Sequence, residues 1–230
     1  MRKIVIASNN LGKLNEIGAI LAPLDIEIVA QSTLGVPEAE EPHCTFVENA
    51  LAKARNAAAH SGLPALADDS GICVDALEGA PGVYSARFAG EPAPGARRTR
   101  EEQDALNNEK LLGLLANADN RRAHYYCVIV LVRHAQDPQP LICEAEWQGE
   151  IVKTPRGTGG FGYDSLFEVT GLRKTGAELA PAEKNRISHR AQALALLAAR
   201  LTGTRPPAAP ASPVAPRLRP SQYPPGRVKS

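Results

Sequence analysis

Cysteine is scarce in this chain. The four residues Cys44, Cys73, Cys127 and Cys143 form no CxxC pair among 230 residues. That spacing excludes a disulfide framework or a zinc knuckle and predicts free thiols. Long apolar runs are missing too: none reaches the ~18 residues that a membrane span needs. The apolar stretch after MRK is too short for a secretory signal, so the expectation is a cytoplasmic chain with no membrane partner. An excess of positive charge is also lacking. Arg205, Arg217, Arg219, Arg227 and Lys229 sit in the last 27 residues, and residues 1–203 carry 21 basic against 25 acidic residues, a net of −4. A body of that sign argues against nucleic-acid binding, yet leaves room for a phosphate ligand held by a few local cations. Hydrophobic residues at 43% suffice for a real core, which predicts one globular domain, at most two lobes.

Eight of the nineteen prolines fall in residues 204–230. With little there to bury, the segment reads as a disordered Pro/Arg-rich tail on a domain of residues 1–203. Within the domain, Lys3–Ala7 reads as a buried opening strand, Ser8–Gly12 as a turn and Lys13–Leu21 as a helix. Ile26–Ala30 reads as a second strand, followed by a polar loop to Cys44. Thr45 with Glu48 is a capping-box candidate opening an Ala-rich helix to His60. Pro64–Ala67 and Ile72–Leu77 read as strands on either side of Asp68-Asp69-Ser70-Gly71. Residues 97–117 predict a helix. Tyr125–Arg133 and Leu141–Lys153 predict a long hairpin, and Pro181 to about Leu201 a final helix. The order predicts an α/β fold with a mixed sheet covered by helices.

Four constellations could carry chemistry. Ser8, Asn9, Asn10, Leu11, Gly12 and Lys13 form a strand-to-helix turn whose amides and lysine suit an anion. It is not a Walker A loop, because Ala7 stands at the first glycine position and Leu14 follows the lysine. Asp68 and Asp69, with Ser70, follow an apolar strand; such carboxylates are costly unless solvated, hydrogen-bonded or bound to a cation such as Mg²⁺. Glu40 or Glu41 could add a further carboxylate. Lys53 shares a helix face with Asn49. In the C-terminal half, the glycine-rich loop carrying Phe161, Gly162, Tyr163 and Asp164 can approach a planar ring. Lys184, His189 and Arg190 can donate to a carbonyl or phosphate.

Taken together, SNNLGK (8–13), TFVENALAKA (45–54), ADDSGICVDAL (67–77), GAPGVYSAR (79–87), GTGGFGYD (157–164) and ISHR (187–190) resemble, in this order, the inosine triphosphate pyrophosphatase family. This is the Ham1-like group acting on non-canonical purine nucleoside triphosphates. The likeness covers residues 1–203. It implies a two-lobed mixed-sheet α/β fold with the active site between the lobes, a homodimer, Mg²⁺ dependence, and hydrolysis of ITP, dITP or XTP to monophosphate and pyrophosphate. Two features depart from the pattern: a longer, more charged segment at residues 95–106, and Ser165 where proline is usual.

On this reading Asp69 and Lys53 are the catalytic candidates. Glu40, Glu41, Asp68 and Asp69 are the candidates for the metal. Residues 8–13, Ser70 and Lys184 would hold phosphate. Phe161 would stack on the base, with Gly162, Tyr163 and Asp164 shaping that end, while His189 and Arg190 would donate to its 6-oxo group. The alternatives are a Maf-type pyrophosphatase acting on other modified nucleotides and a nucleotide-binding regulator without turnover.

Overall fold

Three consecutive strands of the sheet are 10 or 11 residues long, and they set the architecture. The computed structural model describes residues 3–92 and 96–204, so the predicted tail from Arg205 onward lies outside the described residues. The strands are β1 (Lys3–Ile6), β2 (Glu27–Ala30), β3 (Ala65–Val74), β4 (Arg122–Val132), β5 (Leu141–Ile151) and β6 (Phe167–Val169). The helices are α1 (Leu11–Leu21), α2 (Phe46–Ser61), α3 (Arg100–Leu114), α4 (Pro181–Ile187) and α5 (His189–Thr202).

One six-stranded sheet runs in the order β2-β1-β3-β4-β5-β6. β1 is parallel to β2 and β3, and the remaining pairs are antiparallel. This is the mixed sheet that the sequence predicts, with the hairpin in place. Alternation along the strands buries both faces. Ile4, Ile6, Leu66, Ile129 and Leu131 pack with α1 and α5 on one face. Val5, Ala65, Ala67, Val128 and Val130 pack with the alanines of α2 on the other. A third cluster lies further along the long strands, where Ile72, Val74, Tyr125, Trp147 and Phe167 meet Leu111 and Leu115. The fold therefore has two lobes threaded by β3, β4 and β5.

Several expectations are corrected. Asp68-Asp69-Ser70-Gly71 is not a turn between two strands. β3 runs through it without a break, paired residue for residue with β4 (Asp68 with Ile129, Asp69 with Val128). The continuous partner strand outweighs the turn chemistry of the four residues. The strand then ends at Val74, and residues 75–77 form a 3₁₀ turn. The final helix is two helices: Ser188 is extended (ψ 161°), and its hydroxyl accepts the Ala191 amide to cap α5. Thr45 caps α2, but the Glu48 carboxylate meets the Thr45 hydroxyl rather than the Thr45 amide. Complete capping boxes are Thr99 with Glu102 on α3 and Thr175 with Glu178 at the 3₁₀ turn of residues 176–178.

Candidate active site

β1 pairs with β3 only at Ala65 and Leu66. Between Leu66 and the bridge of Cys73 to Pro81, β3 has a strand partner on its β4 side alone, and a cleft of about 1090 Å³ opens there between the lobes. Every candidate residue from the sequence lines it.

The turn after β1 forms one wall. The Asn10 side chain accepts the amides of Gly12 (2.9 Å) and Lys13 (3.3 Å), and so starts α1 at Leu11, two residues before the expected start. Ser8 Oγ accepts the Asn10 amide (3.2 Å), and Asn9 donates to Glu38 (2.8 Å). Leu11 points out at the mouth, 73% exposed. Gly12 is required by proximity: a Cβ there would lie 2.8 Å from the Phe161 ring.

Because side chains alternate along a strand, adjacent Asp68 and Asp69 face opposite sides of the sheet. Asp69 faces α2. Lys53 Nζ donates to Asp69 Oδ1 (2.8 Å) and to Glu41 Oε1 (3.0 Å), and Arg87 meets the other Glu41 oxygen at 3.3 Å. Asn49 holds the loop behind Glu41 by clamping both polar groups of the His43 backbone. Glu40 is exposed, so Glu41 is the glutamate that meets Asp69 through a shared lysine. Asp69 Oδ2 is buried and has no partner among the described residues. Burial pushes the Asp69 carboxyl above its ordinary range against the pull of Lys53. Burial also opposes ionised Glu41, but Lys53, Lys13 and Arg87 outweigh it and hold that carboxyl low. The Lys53 ammonium is disfavoured by burial yet held charged by Asp69 and Glu41, above its ordinary value.

Asp68 faces the other way and is saturated. It receives Arg190 Nε (3.0 Å), Arg190 Nη2 (3.3 Å), the Cys127 thiol (3.0 Å) and the Ser70 hydroxyl (3.1 Å), and it pairs with Lys13. Burial raises its pKa, but Arg190 and Lys13 more than reverse that and hold the carboxyl well below its usual range. Asp68 thus differs from Asp69: its oxygens are taken by protein groups, and its side chain lies on the other side of the sheet. Arg190 is 2% exposed, and its donors go to Asp68, Glu16 and Ser70. It therefore anchors Asp68 instead of presenting free donors. Glu16 is a residue that sequence reasoning missed; it pairs with both Arg190 and Lys184. Its signal was the i, i+3 spacing from Lys13 on one helix face.

The far end holds the glycine loop. Asp164 Oδ2 accepts the Phe161 amide (2.9 Å) and Lys184 Nζ (2.6 Å). Gly160 has φ +71°, and a Cβ there would fall 2.0 Å from that same oxygen. Phe161 stays partly exposed, with Lys184 Nζ 4.8 Å from its ring centroid. Tyr163 is buried, and its hydroxyl donates to the Ser85 carbonyl (2.8 Å), so it braces the loop from below. His189 is buried, stacked on Tyr125 at 4.7 Å and 7°, and its Nδ1 has no partner among the described residues. Burial, with Arg190 and Lys184 adding to it, holds the imidazole neutral, well below its ordinary pKa.

A pH prediction follows for His189. Its folded pKa is depressed and its unfolded value is about 6.5, so its contribution to stability is complete above that pH and is lost as pH falls below it. The melting temperature of the wild type is expected to drop between pH 7 and pH 5, and less steeply for His189→Phe, which keeps the stack. Equal slopes from calorimetry of the two proteins would contradict this.

A mixed sheet that opens a cation-lined cleft beside a strand-borne carboxylate, with a ring-bearing glycine loop at its far end, defines a class: an enzyme acting on a polyanionic small molecule with a planar group. The comparisons narrow it. Residues 4–200 match the Ham1 family, and the chain belongs to that family. It is 64% identical over 197 residues to the dITP/XTP pyrophosphatase of Nitrosomonas europaea, covering 86% of this chain and 93% of that protein. It is 61% identical over 201 residues to the enzyme of the same name from Ralstonia nicotianae (87% and 97% covered). The solved structure of a HAM1 protein from Coxiella burnetii superposes with a TM-score of 0.79 at 48% identity, covering 89% of this chain and 100% of that one.

Proposed function

We propose that this protein hydrolyses non-canonical purine nucleoside triphosphates (ITP, dITP and XTP) to the monophosphate and pyrophosphate, clearing them from the nucleotide pool. The observation that carries this reading is one cleft that combines a partly exposed aromatic and a neutral imidazole, Phe161 and His189, with a carboxylate and cations, Asp69, Lys53 and Lys13. Family membership and the names of the relatives support it.

The metal reading can be tested against the donor set. Among the described residues no three His, Cys, Asp or Glu side chains converge into a closed cage. Mg²⁺ characteristically takes one or two carboxylates and completes its shell with water and substrate phosphates. Asp69, with an unpartnered buried oxygen, and Glu41, across the shared Lys53, fit that pattern; Asp68 and Glu40 do not. Bound there, Mg²⁺ would supply charge neutralisation and Lewis acidity at the phosphates.

The chain's own residues account for the remainder. Asp69 takes the proton of the attacking water. The new bond joins the water oxygen to the α-phosphorus, and the bond to the bridging α–β oxygen breaks. Pyrophosphate leaves with its charge spread over Lys13 and Lys53. At the base end, the neutral imidazole of His189 donates to a 6-oxo group. Adenine offers an amino donor there, and each unpaired buried donor costs about 1–3 kcal/mol, so adenine is disfavoured.

The catalytic unit is residues 1–203, supported by the span of the family match and by α5 ending at Thr202. The same reading includes a cytoplasmic homodimer with no membrane or nucleic-acid partner. Membership of the Ham1 family supports the homodimer and the compartment, and the acidic body argues against a nucleic-acid partner; no helix among the described residues is long and apolar enough to cross a membrane. The test is purified protein with Mg²⁺ and ITP, XTP, dITP, ATP, GTP or UTP. IMP and pyrophosphate from ITP, strongly favoured over AMP from ATP, are expected. Orthophosphate as first product, or preference for UTP, would overturn the reading.

A further inference from the structure

The charged segment that departs from the family pattern runs into α3, and α3 does something the catalytic scheme leaves unused. Gly162, the residue after Phe161, has φ +63° and, among the described residues, finds the partners of both its peptide groups on α3. Its amide donates to Asp104 Oδ2 (2.8 Å), and its carbonyl accepts from Asn108 Nδ2 (3.0 Å). Asp104 and Asn108 are i, i+4 and share a face. One turn earlier, the Arg100 guanidinium lies 5.9 Å from the Phe161 centroid and 3.7 Å from Asp104. The amide of Phe161 itself is held from the opposite side by Asp164. The ring is thus fixed by a clamp on each of its flanks.

α3 is in turn pinned to the lobe that carries Arg87. Asn107 donates to the carbonyls of Ser85 (3.3 Å) and Ala86 (3.2 Å) and accepts the Ala89 amide (2.8 Å). Asp104 and Asn108 therefore act from a fixed frame, with no reach into the phosphate end.

We infer that Asp104 and Asn108 are positioning residues that set the pose of Phe161 and, through it, the discrimination between 6-oxo and 6-amino purines. This rests on the function proposed above. A ring displaced by an ångström no longer holds a base in line with His189, and loss of one such hydrogen bond is worth about tenfold.

The experiment compares steady-state kinetics on ITP and ATP, and binding of IMP, across variants of the full chain. Asp104→Ala and Asn108→Ala are expected to raise KM for ITP about tenfold, more than they lower kcat. They should also cut the ITP-to-ATP ratio of kcat/KM by about tenfold. Asp104→Asn keeps an acceptor oxygen for the Gly162 amide and should retain the wild-type ratio. Asn108→Asp is isosteric without the donor and should lose it; this pair carries the test if the alanine variants fold poorly. An unchanged ratio in Asn108→Asp, or an equal loss of kcat on both nucleotides, overturns the inference. If the wild type releases no IMP from ITP, the functional reading itself falls. IMP affinity, weakened in Asn108→Asp and kept in Asp104→Asn, then still reads the platform.

Discussion

Asp69→Asn is expected to lower kcat on ITP by about 10²–10⁴-fold, the range for removing a general base, while the melting temperature stays level or rises. The two halves of this expectation have one cause. Asp69 is 6% exposed, and burial pushes its pKa up although Lys53 sits 2.8 Å away. A folded pKa above the unfolded one means that the ionised carboxylate is a net burden on the fold at neutral pH. The amide removes the burden, keeps an oxygen for Lys53, and cannot take a proton. Strain of this kind is retained only where chemistry needs it. A variant that unfolds early, or one that keeps turnover within tenfold, would place the proton elsewhere. Quantitation of pyrophosphate together with thermal melts decides.

Arg190→Met is expected to have the largest effect on stability, about 3–5 kcal/mol, because it leaves Asp68 buried with its main partner gone. In a chain of this size that lowers the melting temperature by roughly 10 °C. Asp68 is 1% exposed and Arg190 2%, so solvent screens the pair little. Lys13 remains on Asp68 and Lys184 on Glu16, which keeps the loss finite. The double variant Asp68→Asn with Arg190→Met should recover part of it, since no uncompensated charge remains. The acid limb carries a second signature. The folded pKa of Asp68 lies well below its unfolded value near 3.9. Its contribution is therefore present above pH ~4 and lost as pH falls through the folded value. Asp68→Asn should flatten the stability profile below pH 4. Additive single and double variants, or parallel acid limbs, would show that the pair is decoupled.

Much of the site was legible because its residues are chemically conspicuous in one dimension. A turn of Ser, Asn, Asn, Gly and Lys after a strand suits an anion, and the structure builds α1 on the Asn10 cap. Two aromatics in a glycine loop, in a chain with only ten, do reach the cleft, Phe161 exposed to it and Tyr163 bracing it. Asp104 and Asn108 were not legible, since each is an ordinary polar helix residue until a distant element supplies its partner; Glu16 left only its i, i+3 spacing from Lys13. The sequence reads Asp69 as base and metal carboxylate and Asp68 as a further carboxylate beside it; that the two face opposite sides of the sheet follows only from the unbroken ladder with β4.

Composition and periodicity by themselves determined the class of the fold and the mixed sheet, because these follow from local chemistry and from the burial period of a strand or helix; the order of the motifs, through the family they resemble, pointed to the side chains that line the cleft. Only the tertiary structure decided which carboxylate is free. A strand with its ladder intact turns neighbouring side chains to opposite faces, so Asp68 meets Arg190 and Lys13 behind one face while Asp69 keeps an oxygen unclaimed on the other. Pairing across 122 positions of sequence leaves no mark on either residue's neighbours, and so it can be seen only once the chain has folded.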